Sequence, residues 1–209
     1  MEQGSAEWFA IRCGKVTASR VADVVARTKS GWGASRANYM AELIAERLTG
    51  VPAPGFTNAA MQHGTLTEPA AREAYASQTF DNVTQVGFLL HPRIDGFGAS
   101  PDALVGDEGM LECKCPNSAT HIETLISGKI PAKYETQMLS QLACAPVRQW
   151  VDFVSFDPRL PPEMQLFVKR LERDDDRIAE LEKEVTAFLA ELDEKVGKLT
   201  ALYQKEAAE

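Results

Sequence analysis

The sequence lacks any uninterrupted apolar stretch of about 18 residues, the length a membrane-spanning helix needs. Its first residues, Met-Glu-Gln-Gly-Ser, lack the basic start and apolar run of a secretory signal. A cytoplasmic protein without membrane contact is the expectation. Cysteine is scarce, with only Cys13, Cys113, Cys115 and Cys144 in 209 residues. Cytoplasmic thiols stay reduced, which excludes a disulfide framework. An iron–sulfur cluster would need four thiolates converging on one point. Cys113 and Cys115 instead fall on the inward face of a strand, and reduced core thiols are the better reading. Net positive charge is also missing, since the formal total is −8. That total argues at first against a nucleic-acid partner, but its distribution reverses the argument. Residues 171–209 hold six basic and twelve acidic side chains, and so most of the excess. Residues 10–36 hold six basic side chains (Arg12, Lys15, Arg20, Arg27, Lys29, Arg36) against one acid, Asp23. A local basic surface binds phosphate whatever the total charge.

What the chain does have is the stretch Ser100 to Pro116, which reads as two short strands joined by a turn at Gly106 to Gly109. With a period of two, Glu112 and Lys114 share one strand face, and Leu111, Cys113 and Cys115 share the other. A hairpin carries Asp102 back beside Glu112, gathering two carboxylates and one ammonium. Two close carboxylates repel unless a positive charge lies between them. A divalent cation with hard oxygen ligands, Mg²⁺ or Mn²⁺, does this well. Lys114 would then orient or help deprotonate a bound water, or neutralise charge developing on a phosphate. This is the layout of metal-assisted phosphodiester hydrolysis. An ordinary surface hairpin would carry the same three side chains solvated.

The rest of the chain reads as helices around strands. Trp8, Phe9 and Ile11 mark a short helix, and Thr17 is a candidate N-cap for a helix carrying Val21, Val24 and Val25. A helix start with Arg12, Lys15, Ser19 and Arg20 nearby is an anion site in waiting. Residues Lys29 to Arg36 read as a loop whose Trp32 either stacks on a base or anchors the loop. A helix from Ser35 or Ala37 to Leu48 follows. Thr57 to Phe80 is helical, with Pro69 either kinking it or starting a new helix capped by Thr67. Val83 to His91 reads as a strand. Ser118 to Ile126 and Ala132 to Cys144 read as helices, and Tyr134 and Gln137 on the second share a face. Gln141 is expected at the surface. Trp150 to Phe156 and Met164 to Val168 form an edge hairpin. From Asp174, Ile178, Leu181, Val185, Phe188, Leu192, Val196 and Leu199 trace one stripe of a long amphipathic helix that frays from Gln204.

Pro101-Asp102 and Glu112-Cys113-Lys114 resemble the motif of the PD-(D/E)xK nuclease superfamily. Together with Ser100, Leu111 to Pro116, Trp8 to Ser19, Gly64 to Glu68, Tyr134 to Gln137 and Phe156 to Arg159, they resemble more narrowly the phage lambda exonuclease family. The resemblance runs in order across most of residues 5–170. It implies an α/β, restriction-endonuclease-like fold, with a central mixed sheet flanked by helices and a long C-terminal helix. Residues 1–209 would form one nuclease domain, with 1–173 as catalytic core and 174–209 as the helix. It implies a Mg²⁺-dependent 5′→3′ exonuclease that degrades one strand of linear double-stranded DNA, leaving 3′ tails for strand annealing. Mn²⁺ could substitute for Mg²⁺. Asp102, Glu112 and the Cys113 carbonyl would hold one ion, Asp102 and Glu68 a second. Lys114 would position water, and Gln137 would support the site. Arg12, Ser19 and Ser100 would grip the 5′-phosphate, with Trp32, Lys15 and Arg20 as further DNA contacts. His63 has the bland reading of a structural residue. The family also implies double-stranded DNA ends as partner, a ring-shaped homotrimer, a single-strand annealing protein and a bacterial or prophage origin. The apolar stripe of the C-terminal helix is the candidate trimer interface, through Leu181 and Phe188. The rival functions are an endonuclease of the same superfamily and a non-catalytic DNA-end-binding module.

Overall fold

The computed structural model describes residues 2–29, 31–54 and 58–206. In chain order the elements are α1 (Ala6–Arg12), β1 (Val16–Thr17), a 3₁₀ turn (Ala18–Arg20), α2 (Val21–Val24), β2 (Arg27–Thr28), β3 (Gly31–Trp32) and α3 (Ala34–Thr49). There follow α4 (Ala59–Thr79), β4 (Val83–Thr84), β5 (Leu89–Leu90), β6 (Phe97–Ala99), β7 (Ala103–Val105) and β8 (Gly109–Lys114). The chain closes with α5 (Ser118–Ser127), α6 (Ala132–Cys144), β9 (Trp150–Phe156), a 3₁₀ turn (Pro162–Met164), β10 (Leu166–Glu172) and α7 (Asp175–Glu206).

The main sheet runs β10-β9-β8-β7-β4. Only β8 and β9 pair in parallel, and the other neighbours are antiparallel. The α5 and α6 helices fill the crossover that a parallel pair requires. A smaller sheet, β1-β6-β5, lies alongside. Because side chains alternate across a strand, β8 feeds two cores. Leu111, Cys113 and Cys115 join Val154 and Phe156 under α4, where Ala71 and Tyr75 meet them. Met110 joins Val151 and Phe153 under α2, α3, α6 and α7. Glu112 and Lys114 continue this second face toward its end. Gly106 turns the hairpin with a positive φ of 49°. Gly109 is required because any Cβ there would run into the Trp150 ring.

Several expectations are corrected. Thr17 makes no side-chain cap; it precedes a 3₁₀ turn and a four-residue helix, too short to offer a dipole-backed anion site. The expected loop around Trp32 contains the tiny β2–β3 hairpin. Pro69 stays inside one continuous α4, capped by Asn58 and not by Thr67. Val83 to His91 is two separate strands belonging to different sheets. β10 runs on to Glu172, four residues past the expected Val168. The helix start expected at Thr57 lies outside the described residues, as do Ser30 of the expected loop and the last residues of the expected fray.

The largest correction concerns α7. Its stripe is not spare surface: Ile178, Val185, Phe188, Leu189 and Leu192 are buried in the core of the same chain, and Leu181 packs against it. Phe188 stacks on Tyr39 at 5.8 Å. An amphipathic helix folds onto whichever apolar face lies within reach, and here α2, α3 and α6 supply one. Phe188 is therefore a core residue and Leu181 a half-buried one packed against the core, so the face expected to meet a partner chain is covered by the chain's own helices. Among the described residues no helix is long and apolar enough to cross a membrane.

Candidate active site

The hairpin β7–β8 builds the site. The Asp102 N–H donates to the Leu111 carbonyl at 3.0 Å, which closes the hairpin and sets Asp102 beside Glu112. Asp102 Oδ2 accepts from the Cys113 N–H at 2.6 Å. Glu112, only 1% exposed, accepts from three donors. Lys114 Nζ pairs with its Oε1. Gln137 Nε2 donates to the same oxygen at 2.7 Å, and Gln141 Nε2 donates to Oε2 at 2.5 Å. Both glutamines come from α6, one turn apart and so on one face. Lys114 also lies over the Tyr134 ring, 5.2 Å from its centre.

The electrostatics are those of a site short of positive charge. Burial, and then the charge of Glu112, push the Asp102 carboxyl well above its ordinary range, and Lys114 opposes them only in part. For Lys114, burial disfavours the charged form. Glu112 and Asp102 outweigh it and hold the amine above its usual pKa, so the side chain stays an ammonium near neutrality. Asp102, Glu112 and the Cys113 carbonyl are hard oxygen donors that suit Mg²⁺ or Mn²⁺. Among the described residues no three His, Cys, Asp or Glu side chains gather closely enough to hold an ion by themselves. Mg²⁺ commonly takes one or two carboxylates and keeps several waters, so the two-carboxylate set fits it.

Asp102, Glu112, Lys114 and Gln137 line a recess of about 170 Å³ with Gln3, Trp8, Arg12, Thr17, Ala18, Ser19 and Ser100. Arg12 lies flat on Trp8, 3.6 Å from the ring centre. Trp8 Nε1 donates to Ser100 Oγ at 2.9 Å. The expected phosphate residues Arg12, Ser19 and Ser100 thus share the recess with Asp102, Glu112 and Lys114. Lys15 and Arg20 line a second, adjoining hollow of about 550 Å³, where Arg20 is paired with Asp23 and Glu42. Trp32 lies elsewhere, between Arg27 at 4.0 Å and Arg36 at 4.2 Å. Glu68 raises the Asp102 carboxyl by its charge, but its own carboxylate is paired with Arg72 of the same helix. His63 Nδ1 meets the Thr67 hydroxyl within α4 at 3.4 Å.

The sequence reading missed one residue of this cluster. Gln141 was expected at the surface and is fully buried against Glu112. Its spacing of four from Gln137 was the available signal, because that spacing puts both amides over the same strand. The four thiols do not converge: Cys113 and Cys115 sit in one core, Cys144 in the other, and Cys13 outside both beside the Glu46 carbonyl.

A model of the YqaJ-like viral recombinase domain matches residues 7–148. The chain belongs to the YqaJ-like viral recombinase family. Two crystal structures of LHK-Exo, an alkaline exonuclease from Laribacter hongkongensis, are 57% identical to it, one of them in complex with dAMP. Each superposes with a TM-score of 0.90 over 96% of this chain and 99% of its own. A phage related exonuclease from Haemophilus somnus 129PT, 16% identical, shares the fold with a TM-score of 0.68 over 88% of this chain and 96% of its own. A comparison with curated proteins finds no match. The fold is the α/β PD-(D/E)xK-like fold of these recombinase-type nucleases, with its long C-terminal helix. The family assignment and the likeness to an alkaline exonuclease support a nuclease role for this chain.

Proposed function

We propose that this member of the YqaJ-like family is a Mg²⁺-dependent exonuclease that degrades linear double-stranded DNA from the 5′ end. One observation carries the reading. The Asp102, Glu112 and Lys114 cluster opens on the same recess as Arg12, Ser19 and Ser100, so a cutting centre and a phosphate grip lie side by side. A cation held by Asp102, Glu112 and the Cys113 carbonyl would polarise the scissile phosphate and lower the pKa of a bound water. Asp102 and Glu68 would hold a second ion once Glu68 leaves Arg72.

The chain's own groups then have definite tasks. Lys114, as an ammonium, donates hydrogen bonds; it orients the attacking water and offsets negative charge on the phosphate, and does not serve as a base. Gln137 and Lys114 fix Oε1 of Glu112. Ser100 accepts from the Trp8 indole, which leaves its own hydroxyl proton to point at a phosphate oxygen. Arg12, held flat by Trp8, supplies a charge-assisted contact to the terminal phosphate. The 57% identical exonuclease was crystallised with dAMP, and a mononucleotide is what stepwise cleavage from a DNA end would release. The products would be 3′ single-stranded tails suited to recombination by strand annealing. A homotrimeric ring and an annealing-protein partner rest on the family resemblance.

The test is nucleotide release from linear and from covalently closed circular duplex, each with Mg²⁺ and with chelator. The expected result is release from the linear duplex only, and only with the ion. Cutting of the circle would make the protein an endonuclease, and binding without cleavage in Mg²⁺ would make it a DNA-end-binding module.

A further inference from the structure

Gln141 is a fully buried amide whose acceptor oxygen goes unused. Its Nε2 donates to Glu112 Oε2 at 2.5 Å, and among the described residues its Oε1 is buried without a partner. The amide can face a carboxylate only with its nitrogen, because an ionised carboxylate only accepts. The leftover carbonyl is therefore a direct result of gripping Glu112. A residue needed only for packing between α6 and the sheet would be served better by leucine or methionine, which leave no orphaned oxygen.

The two oxygens of Glu112 are also held differently. Oε1 faces Lys114 and Gln137, both of which line the recess with Asp102. Oε2 faces Gln141, which does not line that recess. Oε1 can exchange its partners for a cation while remaining in the cavity. Oε2 cannot turn toward the cavity without abandoning a buried donor.

We propose that Gln141 is a positioning residue that withholds Glu112 Oε2 from the metal, so that Glu112 binds through Oε1 alone. This rests on the reading of Asp102 and Glu112 as cation ligands. Its consequence is ion selectivity. Mg²⁺ and Mn²⁺ fit a compact six-ligand shell with single-oxygen carboxylates, whereas Ca²⁺ takes more ligands and readily accepts both oxygens of one carboxylate. With Oε2 tied back, the site favours the smaller ions.

The experiment is direct titration of the metal-free protein with Mg²⁺, Mn²⁺ and Ca²⁺ by calorimetry, in wild type, Gln141→Met and Asp102→Asn, without DNA. Losing the partner of a metal ligand commonly weakens binding by about tenfold or more. Gln141→Met is expected to bind Mg²⁺ and Mn²⁺ about tenfold more weakly and Ca²⁺ with little change, so the Ca²⁺/Mg²⁺ affinity ratio rises about tenfold. Equal weakening of all three ions would reduce Gln141 to a structural residue and overturn the proposal, as would unchanged binding. If Gln141→Met does not fold, Gln141→Asn keeps an amide but withdraws it by one methylene, and the same ratio decides. Asp102→Asn separates the two levels of the argument: if it binds Mg²⁺ like wild type, the ligand assignment itself is wrong.

Discussion

Arg12 and Arg36 come from the same basic segment and end in opposite surroundings. Arg12 lies on Trp8 in the recess that Asp102, Glu112 and Lys114 line. Arg36 is 8% exposed, pairs with Glu191 at 2.7 Å and stacks on Trp32 and Phe188. Arg27 likewise pairs with Glu184 at 2.9 Å, and Arg47 pairs with Asp193. All three acidic partners belong to α7. The acidic excess of the C-terminal region is thus spent in part on the basic excess of the N-terminal region. A run of basic residues in a sequence is not yet a basic surface; what remains after intramolecular pairing is what a phosphate meets. The residues left facing the recess are few, and they are the ones proposed to read the DNA end.

The comparison breaks most visibly at Phe188. If α7 were an exposed interface, a polar residue there would dissociate an oligomer and leave a folded chain. Because Phe188 is fully buried against Tyr39 and Arg36, Phe188→Ala is expected to cost about 3–5 kcal/mol of folding stability. Denaturant unfolding checks it, and an unchanged midpoint would return α7 to the surface. The next effect is on substrate choice. Arg12→Ala should lose a charge-assisted contact of about 1.5–3 kcal/mol, reducing the preference for 5′-phosphorylated over 5′-hydroxyl ends by roughly ten- to a hundredfold. The ratio of initial rates on the two ends measures it. Arg27→Ala is the matched control: its pair with Glu184 is largely exposed and worth about 0–1 kcal/mol, so the end preference should stay at the wild-type ratio. A similar fall in both variants would erase the distinction between the two halves of the segment.

The smallest expected effect lies at Asp157. Burial acts to raise its carboxyl, but hydrogen bonds donated by the Arg159 guanidinium, the Ser118 side chain and the Arg159 backbone N–H hold it at about 2, below the ordinary 3.8. A depressed carboxylate stabilises the fold above the unfolded value and loses that contribution as pH falls from about 4 toward 2. Asp157→Asn should therefore lower stability near neutral pH, by an amount that shrinks as pH falls from about 4 toward 2, and so flatten the acid limb of a curve of denaturant midpoint against pH. Arg159 also donates to the Pro116 carbonyl at 3.0 Å, tying this loop to the end of β8. That gives the Phe156 to Arg159 segment a structural task near the site.

The sequence made the hairpin legible because its signals are local. A period of two assigns the faces of β8, a Gly/Asp turn closes it, and Asp102 has only one place to return to. The α6 helix was legible to the residue, from Ala132 to Cys144. The destination of α7 was not, because an apolar stripe states that a helix will be covered and says nothing of what covers it. Gln141 was misjudged for a related reason. A glutamine is usually solvated, and only the approach of α6 to β8 turns this one inward. The fate of Arg27 and Arg36 was hidden as well, since their partners lie more than a hundred residues away in sequence and the pairing exists only once α7 docks.

The central claim is that the Asp102, Glu112 and Lys114 cluster cuts DNA. Its most direct test pairs two measurements on one linear, 5′-phosphorylated duplex: nucleotide release in saturating Mg²⁺ and binding in chelator, for wild type and Lys114→Ala. Removing a donor that offsets charge in the transition state commonly costs about 10²–10³ in rate. The account predicts release by wild type only when the ion is present, a loss of at least that size in Lys114→Ala, and equal binding by both proteins. A Lys114→Ala protein that cuts at the wild-type rate, or a wild type that cuts fully in chelator, would contradict it.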